Sequence, residues 1–148
     1  MPQSLVKNII HLVFSTKNRR NMIHVEDYGE FRAFLVGLLS ECGCYLLELG
    51  GTENHVHILF VLNKKLSISE VVGKIKSNTS RWFHRRHDSE FAWQEGYGAF
   101  SVSQSKMDVV RSYIENQEEH HRHKGFEEEL REFLKAYGVD RDERYVWD

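Results

Sequence analysis

Eight consecutive residues, His55–Leu62 (HVHILFVL), constrain this chain of 148 more than any other segment. Side chains alternate along an extended strand, so Val56, Ile58, Phe60 and Leu62 make one wholly apolar face. His55, His57, Leu59 and Val61 make the other. The segment therefore reads as a buried strand with two imidazoles at one end. At a rise of about 3.3 Å per residue, their Cα atoms stand about 6.6 Å apart and both rings can meet one ion.

Around this strand the apolar periodicity predicts a short series of elements. Asn8–Thr16 (NIIHLVFST) reads as a first buried strand, bounded by the polar cluster Lys17–Asn21. Val25–Cys42 has helical spacing through Tyr28, Phe31, Phe34, Leu35, Leu38 and Leu39, opens on two acids and stops at Gly43. Cys44–Leu49 forms a second strand, and Gly50-Gly51-Thr52 turns it into the histidine strand as a hairpin. Ser67–His87 reads as a second helix, Phe91–Ser103 as a fourth strand in which Gly96 and Gly98 mark a bulge or close approach. Met107–His123 is helical again, followed by a short helix, Glu127–Tyr137, and a tail ending Tyr145-Val146-Trp147-Asp148.

That order is the ferredoxin-like, RRM-like split βαβ pattern of an α+β fold: a four-stranded antiparallel-rich sheet with helices on one face, plus a further C-terminal helix bearing Tyr113. At 41% hydrophobic the chain fills one core and has no room for a second full domain. No run approaches the roughly 18 apolar residues of a membrane span, and the first twenty residues carry no signal-peptide pattern, so no membrane and a cytoplasmic setting are expected. Cys42 and Cys44, the only cysteines, are too close in sequence for an ordinary disulfide and read as buried thiols.

The net charge of −2 argues against a uniformly basic nucleic-acid binder, but the charges are segregated. Seven Lys or Arg lie between Lys64 and Arg86 against one acid, Glu70, whereas acids lead ten to six from Glu118 to Asp148. Lys74, Lys76, Arg81 and Arg85 are thus candidates for contacts to phosphates, with a solvated helix face as the alternative. Trp82, Phe83 and Trp93 could stack on bases, although core packing is the commoner use of such residues.

Two histidines alone are a weak metal signal, and the late helix offers the missing partner. Tyr113 and Gln117 are four apart and share a helix face, so one can attack while the other holds an ion. Glu118–His123 places His121 one turn beyond Gln117, but reads as a solvated helix end.

Asn54-His55-Val56-His57-Ile58-Leu59-Phe60 and Tyr113-Ile114-Glu115-Asn116-Gln117 resemble the two motifs of the HUH single-tyrosine transposases of the insertion-sequence 200/605 group. The likeness runs over nearly the whole chain, through Trp93–Val102 and the closing Glu143–Trp147; Asn54 stands where relatives often carry Asp. The resemblance implies that His55, His57 and Gln117 are metal ligands for Mg2+ or Mn2+ and that Tyr113 is the nucleophile. It further implies a DNA transposase that cleaves and rejoins single-stranded DNA at hairpin-marked element ends through a 5′-phosphotyrosine. A homodimer is implied too, in which one subunit's tyrosine helix can complete the other's histidine site. Residues 1–125 would be the catalytic domain and 126–148 a helical tail.

Such chemistry suits the residues: two imidazoles and an amide hold an ion weakly but leave it electrophilic toward a phosphodiester. No separate base for the phenol stands out. A non-catalytic single-stranded nucleic-acid-binding module, or a domesticated inactive relative, is the alternative. A histidine-triad nucleotide hydrolase is set aside because Leu59 occupies the place of a third histidine.

Overall fold

A computed structural model describes residues 3–86, 90–117 and 125–138. Its centre is a four-stranded antiparallel sheet in the order β2-β3-β1-β4, built from β1 (Asn8–Ser15), β2 (Tyr45–Gly51), β3 (His55–Leu62) and β4 (Gly98–Val102). The predicted split βαβ architecture is what the chain adopts. β1 and β3 lie side by side in the middle, Val13 opposite His57 and His11 opposite Leu59, and every residue of β3 is buried.

Helices α1 (Tyr28–Glu41) and α2 (Ile68–Arg86) cover one face. Phe31, Leu35 and Leu39 of α1 and Val71, Val72, Ile75 and Phe83 of α2 meet Ile10, Leu12, Phe14, Val56, Ile58 and Phe60 in the main core. Gly43 ends α1 at φ +70°, where its lack of Cβ lets Cys44 N–H reach back to the Leu39 carbonyl at 2.9 Å. Trp82 packs between Phe31 and Phe34, and Trp93 donates from Nε1 to Thr79 Oγ1 at 2.9 Å, so the aromatics offered as base-stackers serve the core. Cys42 and Cys44 are buried free thiols, and burial raises the Cys44 pKa.

The opposite face carries α3 (Met107–Glu115) and α4 (Phe126–Ala136). Ile114 packs with Ile9, Leu59 and Val61, while Phe126, Leu130 and Leu134 pack with Val13 and Phe100. Gly50 admits α3: a Cβ there would run into the Ile114 carbonyl oxygen and lie 2.8 Å from Ile114 Cγ2. Glu48 beside it is buried and engaged by Arg32 of α1 and, at 3.5 Å, by Arg111 of α3. Arg19, after β1, pairs with Glu127 at 3.1 Å and ties down the start of α4.

Several boundaries differ from the sequence reading. β2 runs through Gly50 and Gly51, which pair with His57 and Val56 as strand positions and are not the turn; Ile114 of α3 crowds the first and the hairpin backbone the second. β4 is five residues long; Phe91 and Trp93 leave the ladder for the main core, with only a Thr16–Trp93 bridge before it. α3 stops at Glu115, where Asn116 turns to φ −103° and ψ 24°. Tyr113 and Gln117 are therefore not on one continuous helix face, as the spacing had suggested. Glu118–His123 and the closing Tyr145–Trp147 lie outside the described residues.

Candidate metal and nucleophile centre

Period-two alternation sends His11, Val13 and Ser15 of β1 to the same face as His55 and His57 of β3, the face beneath α3 and α4. Both histidines of β3 are fully buried there, their ring centroids 5.2 Å apart. The side chains that converge on them come from the end of α3 and from α4. Gln117 Oε1 stands 3.0 Å from His55 Nε2, and Glu129 Oε1 stands 2.7 Å from His57 Nε2 and 3.5 Å from His55 Nε2. Tyr113 donates its hydroxyl to the other Glu129 oxygen at 2.6 Å, and its ring lies 6.1 Å from that of His57.

The outer nitrogens are also held. His55 Nδ1 faces Asn54 Oδ1 at 2.9 Å, an acceptor for the Nδ1 proton in the tautomer whose Nε2 lone pair would be offered to an ion. Asn54 thus supplies the acceptor that an Asp would. His57 Nδ1 lies 2.8 Å from His11 Nε2, and His11 Nδ1 faces the Tyr137 hydroxyl at 3.4 Å. Burial, then the neighbouring His57, lowers the His11 pKa to about 3, so His11 is neutral and can accept from His57.

Burial and then the hydrogen bond to Glu129 push the Tyr113 pKa well up, with Gln117 acting the other way. A phenolate is therefore costly in this pocket unless a cation stands nearby. Phe126 covers His55 at a centroid distance of 4.5 Å, and Phe133 covers Tyr113 at 5.2 Å. The opening is a cleft of about 150 Å³ lined by Tyr113, Glu129, Glu132, Phe133 and Ala136.

The donor set fits a divalent ion. Two imidazole nitrogens and a carboxylate oxygen lie within 4.8 Å of one another, and Gln117 adds an amide oxygen. Sequence reasoning named His55, His57, Gln117 and Tyr113, and all four meet here. It missed His11 and Glu129. The signal for each was an ionisable residue on an apolar stripe: His11 between Ile9 and Val13, Glu129 among Phe126, Leu130 and Phe133.

The cationic candidates lie elsewhere. α2 is on the far face, with Lys74, Arg81 and Arg85 exposed. Lys76 Nζ instead binds the carbonyls of Gln94, Glu95 and Gly96 at 2.6, 3.0 and 3.0 Å, and burial lowers its pKa to about 8.

The chain's sequence and fold match those of known proteins. The family model "Transposase IS200 like" matches residues 4–117, well over half the chain. The chain belongs to the IS200-like transposase family. It is 25% identical over 115 residues to the transposase for insertion sequence element IS200 of Salmonella typhimurium, covering 72% of this chain and 74% of that one; the Salmonella typhi protein matches equally. Two solved structures share the fold. A Deinococcus radiodurans R1 transposase has TM-score 0.61 and 23% identity over 77% of this chain and 93% of its own. A REP-associated tyrosine transposase bound to a REP hairpin has TM-score 0.57 and 14% identity over 77% and 68%. Among the described residues no helix is long and apolar enough to cross a membrane.

Proposed function

We propose that this transposase cuts and rejoins single-stranded DNA at hairpin-marked ends through Tyr113, beside a divalent ion, Mg2+ or Mn2+, held by His55, His57 and Gln117. The observation that carries this reading is convergence: one buried pocket collects a phenol from α3, two imidazoles from β3 and the Gln117 amide. When bound, the ion would draw charge from a nonbridging phosphate oxygen and ease departure of the 3′ oxygen.

The protein's own groups do the rest. The Tyr113 oxygen attacks phosphorus and the bond to the 3′ oxygen breaks, leaving a 5′-phosphotyrosine and a free 3′ hydroxyl. The phenol proton already points at Glu129 Oε2, 2.6 Å away. Another 3′ hydroxyl reverses the step, so cutting and joining are one exchange run in two directions. Phe126 and Phe133 limit water, which favours strand transfer over hydrolysis. Lys74, Arg81 and Arg85 remain the proposed phosphate contacts; lying across the sheet from the histidines, they suit a hairpin stem better than the scissile strand. The REP hairpin bound by the structural neighbour supports this class of substrate. Tyr113 and Gln117 lie beside the histidines of their own chain, which supports action in cis, while a homodimer would bring two ends together.

The test is incubation with single-stranded hairpin oligonucleotides from genuine element ends plus Mg2+ or Mn2+, scored for a denaturation-resistant protein–DNA adduct. An adduct lost with EDTA and in Tyr113→Phe is expected. Binding without any adduct would point to a non-catalytic nucleic-acid-binding module.

A further inference from the structure

We propose that Glu129, contributed by α4, is an inner ligand of the divalent ion, so that the helix beyond the family-matched segment completes the centre. The inference rests on reading the pocket as an ion site. It concerns a residue outside residues 4–117, the part shared with the family.

Geometry makes the case. With ion–ligand bonds of about 2.1 Å, neighbouring ligand atoms stand about 3.0 Å apart on an octahedron and about 3.4 Å on a tetrahedron. The separations here are 2.7 Å from Glu129 Oε1 to His57 Nε2, 3.5 Å from Glu129 Oε1 to His55 Nε2 and 3.0 Å from Gln117 Oε1 to His55 Nε2. Each of these three separations is close to the edge of such a coordination polyhedron, and the His55, His57 and Glu129 ligand atoms all lie within 4.8 Å of one another. Glu129 occupies a corner no less well than Gln117 does.

Electrostatics points the same way. The Glu129 side chain is 2% exposed and its Oε1 faces both imidazoles, so an ion held between them would meet the carboxylate's charge directly. His, His and Gln are a neutral set, poor for a hard cation, and one carboxylate oxygen changes that. The second oxygen holds the Tyr113 hydroxyl at 2.6 Å, so a single side chain links the ion to the attacking atom and fixes their spacing. α4 then docks on the sheet partly through the ion, and the ion binds before any DNA arrives.

The test uses the full chain without DNA. Protein stripped with EDTA is titrated with Mn2+, followed by the electron paramagnetic resonance signal of free Mn2+ and by the rise in melting temperature on binding. Glu129→Gln is expected to weaken Mn2+ binding on the order of tenfold to a hundredfold and to lose most of that rise. Glu132→Gln, at the cleft mouth but outside the ligand cluster, is expected to bind as the unaltered chain does. Unchanged affinity in Glu129→Gln overturns the proposal, and so does tighter binding, which would make the carboxylate a plug. Should Glu129→Gln fail to fold, Glu129→Asp carries the test, because it keeps the charge and withdraws it by one methylene. Weaker binding then supports the assignment, and unchanged binding overturns it. Binding that survives Glu129→Gln but not His57→Ala would sink Glu129 and leave the ion reading standing; no binding by the unaltered chain would sink both.

Discussion

On one face of the sheet Ile10, Leu12, Phe14, Ile58 and Phe60 meet α1 and α2 through apolar contacts, whereas on the other His11, His55 and His57 lie among Val13, Leu59 and Val61 beneath α3 and α4. The same two central strands make both faces, because alternate residues of each point opposite ways. The α1/α2 face gains free energy from the apolar side chains it buries. The α3/α4 face buries three imidazoles, an amide and the carboxylates of Glu48 and Glu129, each of which costs free energy unless a partner is placed for it. One side can therefore supply stability while the other keeps groups arranged for chemistry, and changes on the two sides should separate stability from activity.

The sharpest way to break that division is Tyr113→Phe. Adduct formation should fall at least about a thousandfold. Stability should drop by no more than about 1–2 kcal/mol, for the lost hydrogen bond to Glu129. An adduct in the Phe variant, seen on a denaturing gel, would remove Tyr113 from the nucleophile's role.

Phe31→Ala is the converse. Phe31 is fully buried against Tyr28, Trp82 and Phe83, so its truncation should cost about 3–5 kcal/mol in urea unfolding, while adduct yield per folded molecule stays near that of the unaltered chain. A large loss of yield per folded molecule would mean that the two faces are coupled.

Gly50→Ala tests the join between them. Its new methyl would press on Ile114, costing about 1–3 kcal/mol. Because Tyr113 precedes Ile114, adduct rate should fall by up to about a hundredfold, more than stability alone predicts.

The smallest effect is on pH dependence in EDTA-treated protein. The His11 pKa is lowered from its ordinary 6.5 to about 3, so between those values the unfolded chain binds the extra proton and the folded chain does not. Stability is then full above pH 6.5 and is lost as pH falls toward 3, by about 1 kcal/mol from pH 6.5 to 5.5. His11→Asn should flatten that limb of a melting-temperature profile; an unchanged slope would assign it to other groups.

Much of the fold was legible because its signals are local. Alternation in His55–Leu62, the stripe Phe31, Leu35 and Leu39, and Gly43 as a helix stop each depend on residues a few positions apart. The strand reading of Phe91–Ser103 overreached, because aromatic content alone does not reveal that Phe91 and Trp93 turn into the core. The continuous helix through Gln117 overreached as well, and the break at Asn116 has no strong marker in the sequence.

By itself the sequence determined which residues alternate on the two central strands, that two imidazoles share one side, and that a tyrosine and an amide follow late in the chain. Only the tertiary structure decided that α3 and α4 cover the histidine side, that α2 and its cations lie across the sheet, and that His11 and Glu129 join the centre. Those two residues are 46 and 72 positions from His57, and no periodicity reaches so far. Packing does, because burying the apolar stripe of α4 against Val13 and Phe100 forces the acid within that stripe onto the imidazoles.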